Sequence, residues 1–139
     1  MTLEELERQG YIKKLPIDRK KVKDSLSLAE RDIATATTLL NLDTDWAFSI
    51  AYNAMLQTLR AFMFSQGYRP EGGNQHVSTV RFAELFLDRD SVIVFDRMRR
   101  KRHISVYDTA GSISKTEAET AIQTAKEILH IIKQRLHEK

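Results

Sequence analysis

The stretch WAFSIAYNAMLQTLRAFMF, Trp46 to Phe64, is the one membrane-like run in the chain, and its reading decides the fold. Its nineteen residues would in principle reach across a bilayer. Asn53, Gln57 and the full charge of Arg60 argue against lipid, where each would need a partner. Nothing in it alternates with a period of two, so it is no strand. What remains is a helix covered on most sides by the other helices of a bundle.

The flanks agree. Upstream, NLDTD, Asn41 to Asp45, is a turn, and Asp45 is predicted to cap the apolar helix; downstream, Gly67 stands where a left-handed residue is wanted to end it. Before the turn Asp18 caps a long helix in which Val22, Leu26, Ala29, Ile33, Ala36 and Leu40 recur at steps of four and three, one continuous apolar face. Thr2 and Glu5 form a capping box for a short first helix that Gly10 closes, and YIKKLP after it is extended.

Beyond Gly67, GYRPEGGN reads as a loop. Gln75 to Leu87 reads as a helix with Val77, Val80, Phe82, Ala83, Leu85, Phe86 and Leu87 inward, and LDRD breaks it. Ser91 or Asp90 caps the next helix, where Val92, Phe95 and Met98 point inward and which fails near Tyr107 to Gly111. Ser114 and Glu117 make a second capping box, and Ala118, Ile122, Ala125, Leu129, Ile132 and Leu136 trace the core side of the last helix. The expected architecture is all-α: an antiparallel, up-and-down bundle of four long helices plus a short N-terminal helix. It forms one domain over residues 1–139, with 1–17 as an N-terminal extension.

Composition sets bounds on function. A chain of 139 residues buries a core without staples, and with no cysteine it has neither disulfides nor thiolate metal sites, which fits a reducing compartment. MTLEELERQG carries acids and no apolar core, so it is no secretory signal, and a cytoplasmic protein with no membrane span is expected. The formal charge is +3, yet Arg97, Arg99, Arg100, Lys101 and Arg102 alone carry five positive charges, leaving the rest of the chain at −2. The basicity is local, which points to one anion-binding place rather than diffuse coating of nucleic acid.

Two polar features stand out against the core pattern. Ser49, Asn53, Gln57 and Arg60 lie at steps of four, four and three, a narrow stripe down the apolar helix. It reads as the solvent-facing strip of that helix, and its narrowness points to a second subunit covering part of the surface. The other feature is FDRMRRKRHISVYD, Phe95 to Asp108. There Arg99, Arg100, His103 and Tyr107 share one helical face, combining guanidinium forks for phosphate oxygens, an imidazole that titrates near neutrality and a phenol. A charged, solvated face with an incidental histidine is the plainer reading of the same residues.

DWAFSIAYNAMLQTLRAFMFSQGYRPEGGNQHVSTVRF followed by FDRMRRKRHISVYD resembles the HEPN domain family, small helical proteins of prokaryotic toxin–antitoxin and defence systems. The resemblance covers roughly Asp18 to the C-terminus and runs in the expected order, from long helix to Arg-rich segment. It implies a metal-independent RNase that works as a homodimer, its motif arginine and histidine facing each other across two chains. Arg97 and His103 have the motif's interval, with Met98 where asparagine is usual, and are the candidate catalytic pair. Arg99, Arg100, Arg102 and Tyr107 are the candidate phosphate-binding residues. A second register takes Arg102 as the arginine, puts His103 in the asparagine place and Tyr107 in the histidine place; it lacks a base and implies a protein that binds without cutting.

Under the first register, the resemblance implies that His103 takes the 2′-hydroxyl proton of RNA while Arg97 steadies the phosphoryl charge, giving a 2′,3′-cyclic phosphate. No cofactor or metal is called for; His76, His130 and His137 are scattered, and His76 reads as a local cap or loop contact. The alternative is a non-catalytic module that holds a nucleotide or nucleic acid and partners a separate minimal nucleotidyltransferase. In members with such partners a tyrosine two residues after the histidine is often modified with AMP; here Tyr107 stands four after His103.

Overall fold

Helices in this chain start where a short polar side chain can take the amide hydrogens that a first turn leaves unpaired. The computed structural model describes residues Met1–His137. α1 (Leu3–Arg8) opens on Thr2, whose hydroxyl accepts from Glu5 N at 3.2 Å. α2 (Arg19–Leu39) opens on Asp18, which accepts from Lys20 N at 2.9 Å. α3 (Thr44–Ser65) is followed by α4 (Gln75–Ala83), α5 (Arg89–His103), a π-turn over Ile104–Asp108, and α6 (Lys115–His137). Ser114 and Glu117 close the predicted box at α6, each accepting the other's amide hydrogen at 3.1 Å.

The cap of α3 is Asp43 rather than the expected Asp45: Asp43 Oδ1 accepts from Trp46 N at 3.0 Å. Asp45 is occupied elsewhere. Its carboxylate accepts from Gly111 N at 2.6 Å and Ile113 N at 3.2 Å, while Thr44 Oγ1 donates to Ile113 O at 2.7 Å. The start of α3 thus holds the loop before α6. Asp45→Ala should lower unfolding stability by about 1–3 kcal/mol, the range for losing charge-assisted hydrogen bonds. Urea denaturation checks this as a shifted midpoint at constant slope.

α3 is the centre of the core. Ala47, Ala51, Ala54 and Ala61 are fully buried, and such small side chains let neighbouring helices approach closely. α2 covers one side through Ala29, Ile33 and Ala36, and α6 covers another through Ala118, Ile122, Ala125, Leu129 and Ile132, the predicted faces. The all-helical expectation holds, but the up-and-down order does not. Thr44 meets Ile113 at one end, and the Arg135 guanidinium lies 6.0 Å over the Phe62 ring at the other, so α3 and α6 run in the same direction. The shorter α4 and α5 carry the chain back between them, and only α2, α3 and α6 are long.

α4 ends at Ala83, short of the expected Leu87. Leu85, Phe86 and Leu87 are consecutive, and a straight helix cannot turn all three to one side. A tighter turn does: Leu85 N donates to Phe82 O and Phe86 N to Ala83 O, both at 3.1 Å, and all three side chains pack on the core. Phe86 meets Phe62 and Phe82 at ring centroid distances of 4.9 Å. α5 then begins at Asp88, not Ser91 or Asp90; the Ser91 hydroxyl bonds the Asp88 carboxylate, holding it below the usual carboxylate range.

Extended YIKKLP becomes β1 (Ile12–Lys14), paired antiparallel with β2 (Tyr68–Pro70), which lies in the stretch expected to be loop. Three residues are too few to show an alternation in sequence. Gly67 sits between α3 and β2 at φ +83°, the left-handed backbone predicted for it, and its carbonyl accepts from Leu15 N at 2.9 Å. No helix among the described residues is long and apolar enough to cross a membrane.

Candidate phosphate-binding site

α5 can carry so many cations because the core asks little of its last turns: Phe95 and Met98 are 0 % and 6 % exposed, and the residues between and after them are spare. The π-turn follows, closed by Thr109 N donating to Ile104 O at 2.9 Å, and it brings the Tyr107 ring to 4.9 Å from His103.

The cations divide between two sides of the helix. Toward α6, Arg97 and Lys101 line a cavity of about 310 Å³ with Phe48, Met98 and Glu117. Lys101 pairs with Glu117, and that bond, with help from Ser114, holds the Glu117 carboxyl below its ordinary range. Arg97 is exposed and has no ion pair or hydrogen bond among the described residues. On the other side, Arg99 Nε donates to Asp96 Oδ1 at 3.0 Å and Arg100 reaches the same carboxylate at 3.5 Å. Arg102 has no carboxylate partner among the described residues. Its Nε donates to Ser49 Oγ at 3.1 Å and its guanidinium lies 5.8 Å over the Tyr52 ring.

Under Arg102 lies a pair that sequence reasoning missed. The Tyr52 hydroxyl is 3.2 Å from His76 Nδ1, and the ring of Tyr52 also stacks on Phe95 at 5.2 Å. Burial, which outweighs the attraction of Arg99 and Arg102, keeps the Tyr52 phenol protonated well above its usual range. Burial first, then Arg102, Arg60 and Arg99, pushes His76 down, toward the neutral imidazole. The described residues offer the phenol proton no other acceptor, so we assign the phenol as donor and Nδ1 as acceptor, which puts the proton of a neutral imidazole on Nε2.

The polar stripe on α3 is not the solvent-facing strip expected. Ser49 is buried at 4 % exposure, and Asn53, Gln57 and Arg60 are half-buried. Asn53 Nδ2 donates to the buried Asp32 at 2.8 Å, and Arg31 takes the other oxygen of that carboxylate at 2.8 Å. His76, read as a cap or loop contact, is instead the partner of Tyr52; the cap of α4 is Asn74, which accepts from Val77 N at 3.1 Å.

Of the residues singled out from sequence, Arg99 and Arg100 come together on Asp96, and His103 stands with Tyr107. Arg97 and His103 do not meet within one chain. Six positions apart on α5, they point about 120° from each other around a helix of 3.6 residues per turn. Nor does the second register converge: Arg102 turns inward to Ser49 and Tyr52, while Tyr107 is 66 % exposed against His103.

The family model described as the HEPN domain matches residues 22–136. The chain belongs to the HEPN domain family. Its fold is similar to that in the crystal structure of TT1696 from Thermus thermophilus, with a TM-score of 0.68 at 19 % identity, covering 82 % of this chain and 97 % of that one. No curated protein matches it. In this HEPN domain Met98, the residue that the first register puts at the usual asparagine place, is a core side chain.

Proposed function

We propose that this HEPN domain binds the phosphate groups of RNA or of a nucleotide through the basic end of α5, and does so as a homodimer. The observation that carries the reading is the incomplete neutralisation of that segment. Asp96 serves two arginines and Glu117 one lysine, while Arg97 and Arg102 have no carboxylate among the described residues. Surplus charge held this close is unfavourable until an anion meets it, and guanidinium forks match phosphate oxygens. Arg97, Arg99, Arg100, Arg102 and Tyr107 are the contacts proposed.

Pairing Arg97 with His103 takes a second chain, since within one chain they point about 120° apart. Exposed Leu42 and Trp46 at the start of α3, with Ile104 and Tyr107 on the π-turn packed against α3, supply apolar surface for it. Sedimentation at micromolar concentration should give a dimer, and a clean monomer unchanged by salt would remove any site shared between chains.

Cleavage is the second reading, favoured by the exposure of both Arg97 and His103, neither of which is ion-paired among the described residues. Arg97 of one chain and His103 of the other would act on one phosphodiester. His103 takes the 2′-hydroxyl proton as the 2′-oxygen bonds to phosphorus; the bond to the 5′-oxygen breaks, and that oxygen takes its proton from solvent water, whose hydroxide then removes the proton from His103. Arg97 stabilises the charge on the phosphoryl oxygens. If the dimer binds without cutting, its place is that of a partner to a separate minimal nucleotidyltransferase.

A further inference from the structure

We infer that the partly buried cluster around the Tyr52–His76 pair is a more selective subsite, sharing Arg99 and Arg102 with the surface of α5 and built for a terminal phosphate dianion rather than for the diester backbone. It rests on the phosphate-binding reading above and deepens it. Three helices meet there: α3 brings Ser49, Tyr52 and Arg60, α4 brings His76, and α5 brings Asp96, Arg99 and Arg102.

The donors at this place outnumber the acceptors. Arg60, Arg99 and Arg102 all lie close enough for their charges to act on both Tyr52 and His76, and Asp96 is the one carboxylate that acts on Tyr52 with them. Arg100 shares the Asp96 carboxylate with Arg99, so positive charge is in surplus here, which favours a dianion over a monoanion. Arg60 Nε is buried without a hydrogen-bond partner among the described residues, an arrangement that costs free energy. Ser49 is already an acceptor for Arg102.

The Tyr52–His76 bond has a defined task in this arrangement. By donating to Nδ1, the phenol fixes the tautomer in which Nε2 carries hydrogen, so a neutral imidazole serves as a further donor. A neutral donor is what a site already rich in positive charge can accommodate. Tyr52 is itself packed against the Phe95 ring, so the pair is preorganised by core packing. A terminal phosphate carries up to two charges where a backbone diester carries one, and surplus positive charge in partly buried surroundings discriminates between them.

The test compares four probes by fluorescence anisotropy and its competition form: one short single-stranded RNA with a 5′-phosphate, with a 3′-phosphate, or with neither, and a nucleoside monophosphate as competitor. At least one of the terminal phosphates should bind about tenfold tighter than the unphosphorylated strand. Arg60→Gln and His76→Gln should each erase that preference while leaving affinity for the unphosphorylated strand within about twofold; circular dichroism confirms the fold. The arms show whether the dianion belongs to a strand end or to a free nucleotide. Equal binding of all strands by the wild-type protein, with no competition by the monophosphate, overturns the inference and leaves backbone binding by α5 intact. A preference that survives both substitutions also overturns it. Loss of all RNA binding by the wild-type protein instead counts against the broader reading.

Discussion

Substitution of Arg97, Arg100 and Arg102 together by alanine is expected to reduce affinity for single-stranded RNA by about three orders of magnitude, taking about 1.5 kcal/mol for each charge-assisted hydrogen bond to phosphate. The fold should survive. Arg97 and Arg100 are exposed, and the one hydrogen bond Arg102 makes to a side chain of the protein goes to a serine hydroxyl. Removing three phosphate-binding cations should also flatten the slope of log affinity against log salt by about two for single strands. Filter binding across a salt series reads both effects. Unaltered affinity in the triple variant would mean that the basic end of α5 is only a solvated face.

The second large effect concerns His103. If the dimer cleaves RNA, His103→Ala should slow it by about two to four orders of magnitude, the usual contribution of a positioned acid–base group. RNA affinity should change little, because the phosphates are held by the arginines. Cleavage should persist in chelator, leave a 2′,3′-cyclic end, and fail on a strand lacking the 2′-hydroxyl, since that hydroxyl is the nucleophile. Tyr107→Phe separates the two motif registers. It is nearly silent if His103 is the base, and damaging if Tyr107 takes the motif's terminal place. Mixing Arg97→Ala and His103→Ala chains adds a check on the shared site, because a heterodimer keeps one intact Arg97/His103 pair where each homodimer has none.

The long helices were legible in sequence because each has a wet side to contrast with its core side. Ala29, Ile33 and Ala36 on α2, and Ala118, Ile122, Ala125, Leu129 and Ile132 on α6, are the buried residues the spacing named. Local competition was harder to read. Asp43 and Asp45 both sit in one turn, and what assigns Asp43 to the cap is the engagement of Asp45 with a loop more than sixty residues away. The direction of α6 relative to α3 depends on how α4 and α5 return the chain, which no helical periodicity contains.

The same limit applied to the site. The spacing of Arg97 and His103 was visible, and so in principle was the angle between them on a helix of 3.6 residues per turn. Tyr52 and His76 were not visible as a pair. Tyr52 reads as one more core aromatic in an apolar helix, His76 lies beyond a loop, and their contact is made by tertiary packing. The available signal was the stripe that ends in Arg60, a charge too well covered to be a surface residue. Its burial pushes Arg60 below the usual guanidinium range.

The central claim is that a phosphate-bearing ligand meets the basic end of α5. Its most direct test is the affinity of the wild-type protein for single-stranded RNA measured from low to physiological salt. Tight binding at low salt, falling linearly on logarithmic axes with a slope of about −2 or steeper, is the expected result for three or more phosphate contacts. Absence of binding at low salt, or an affinity that salt leaves unchanged, would contradict it.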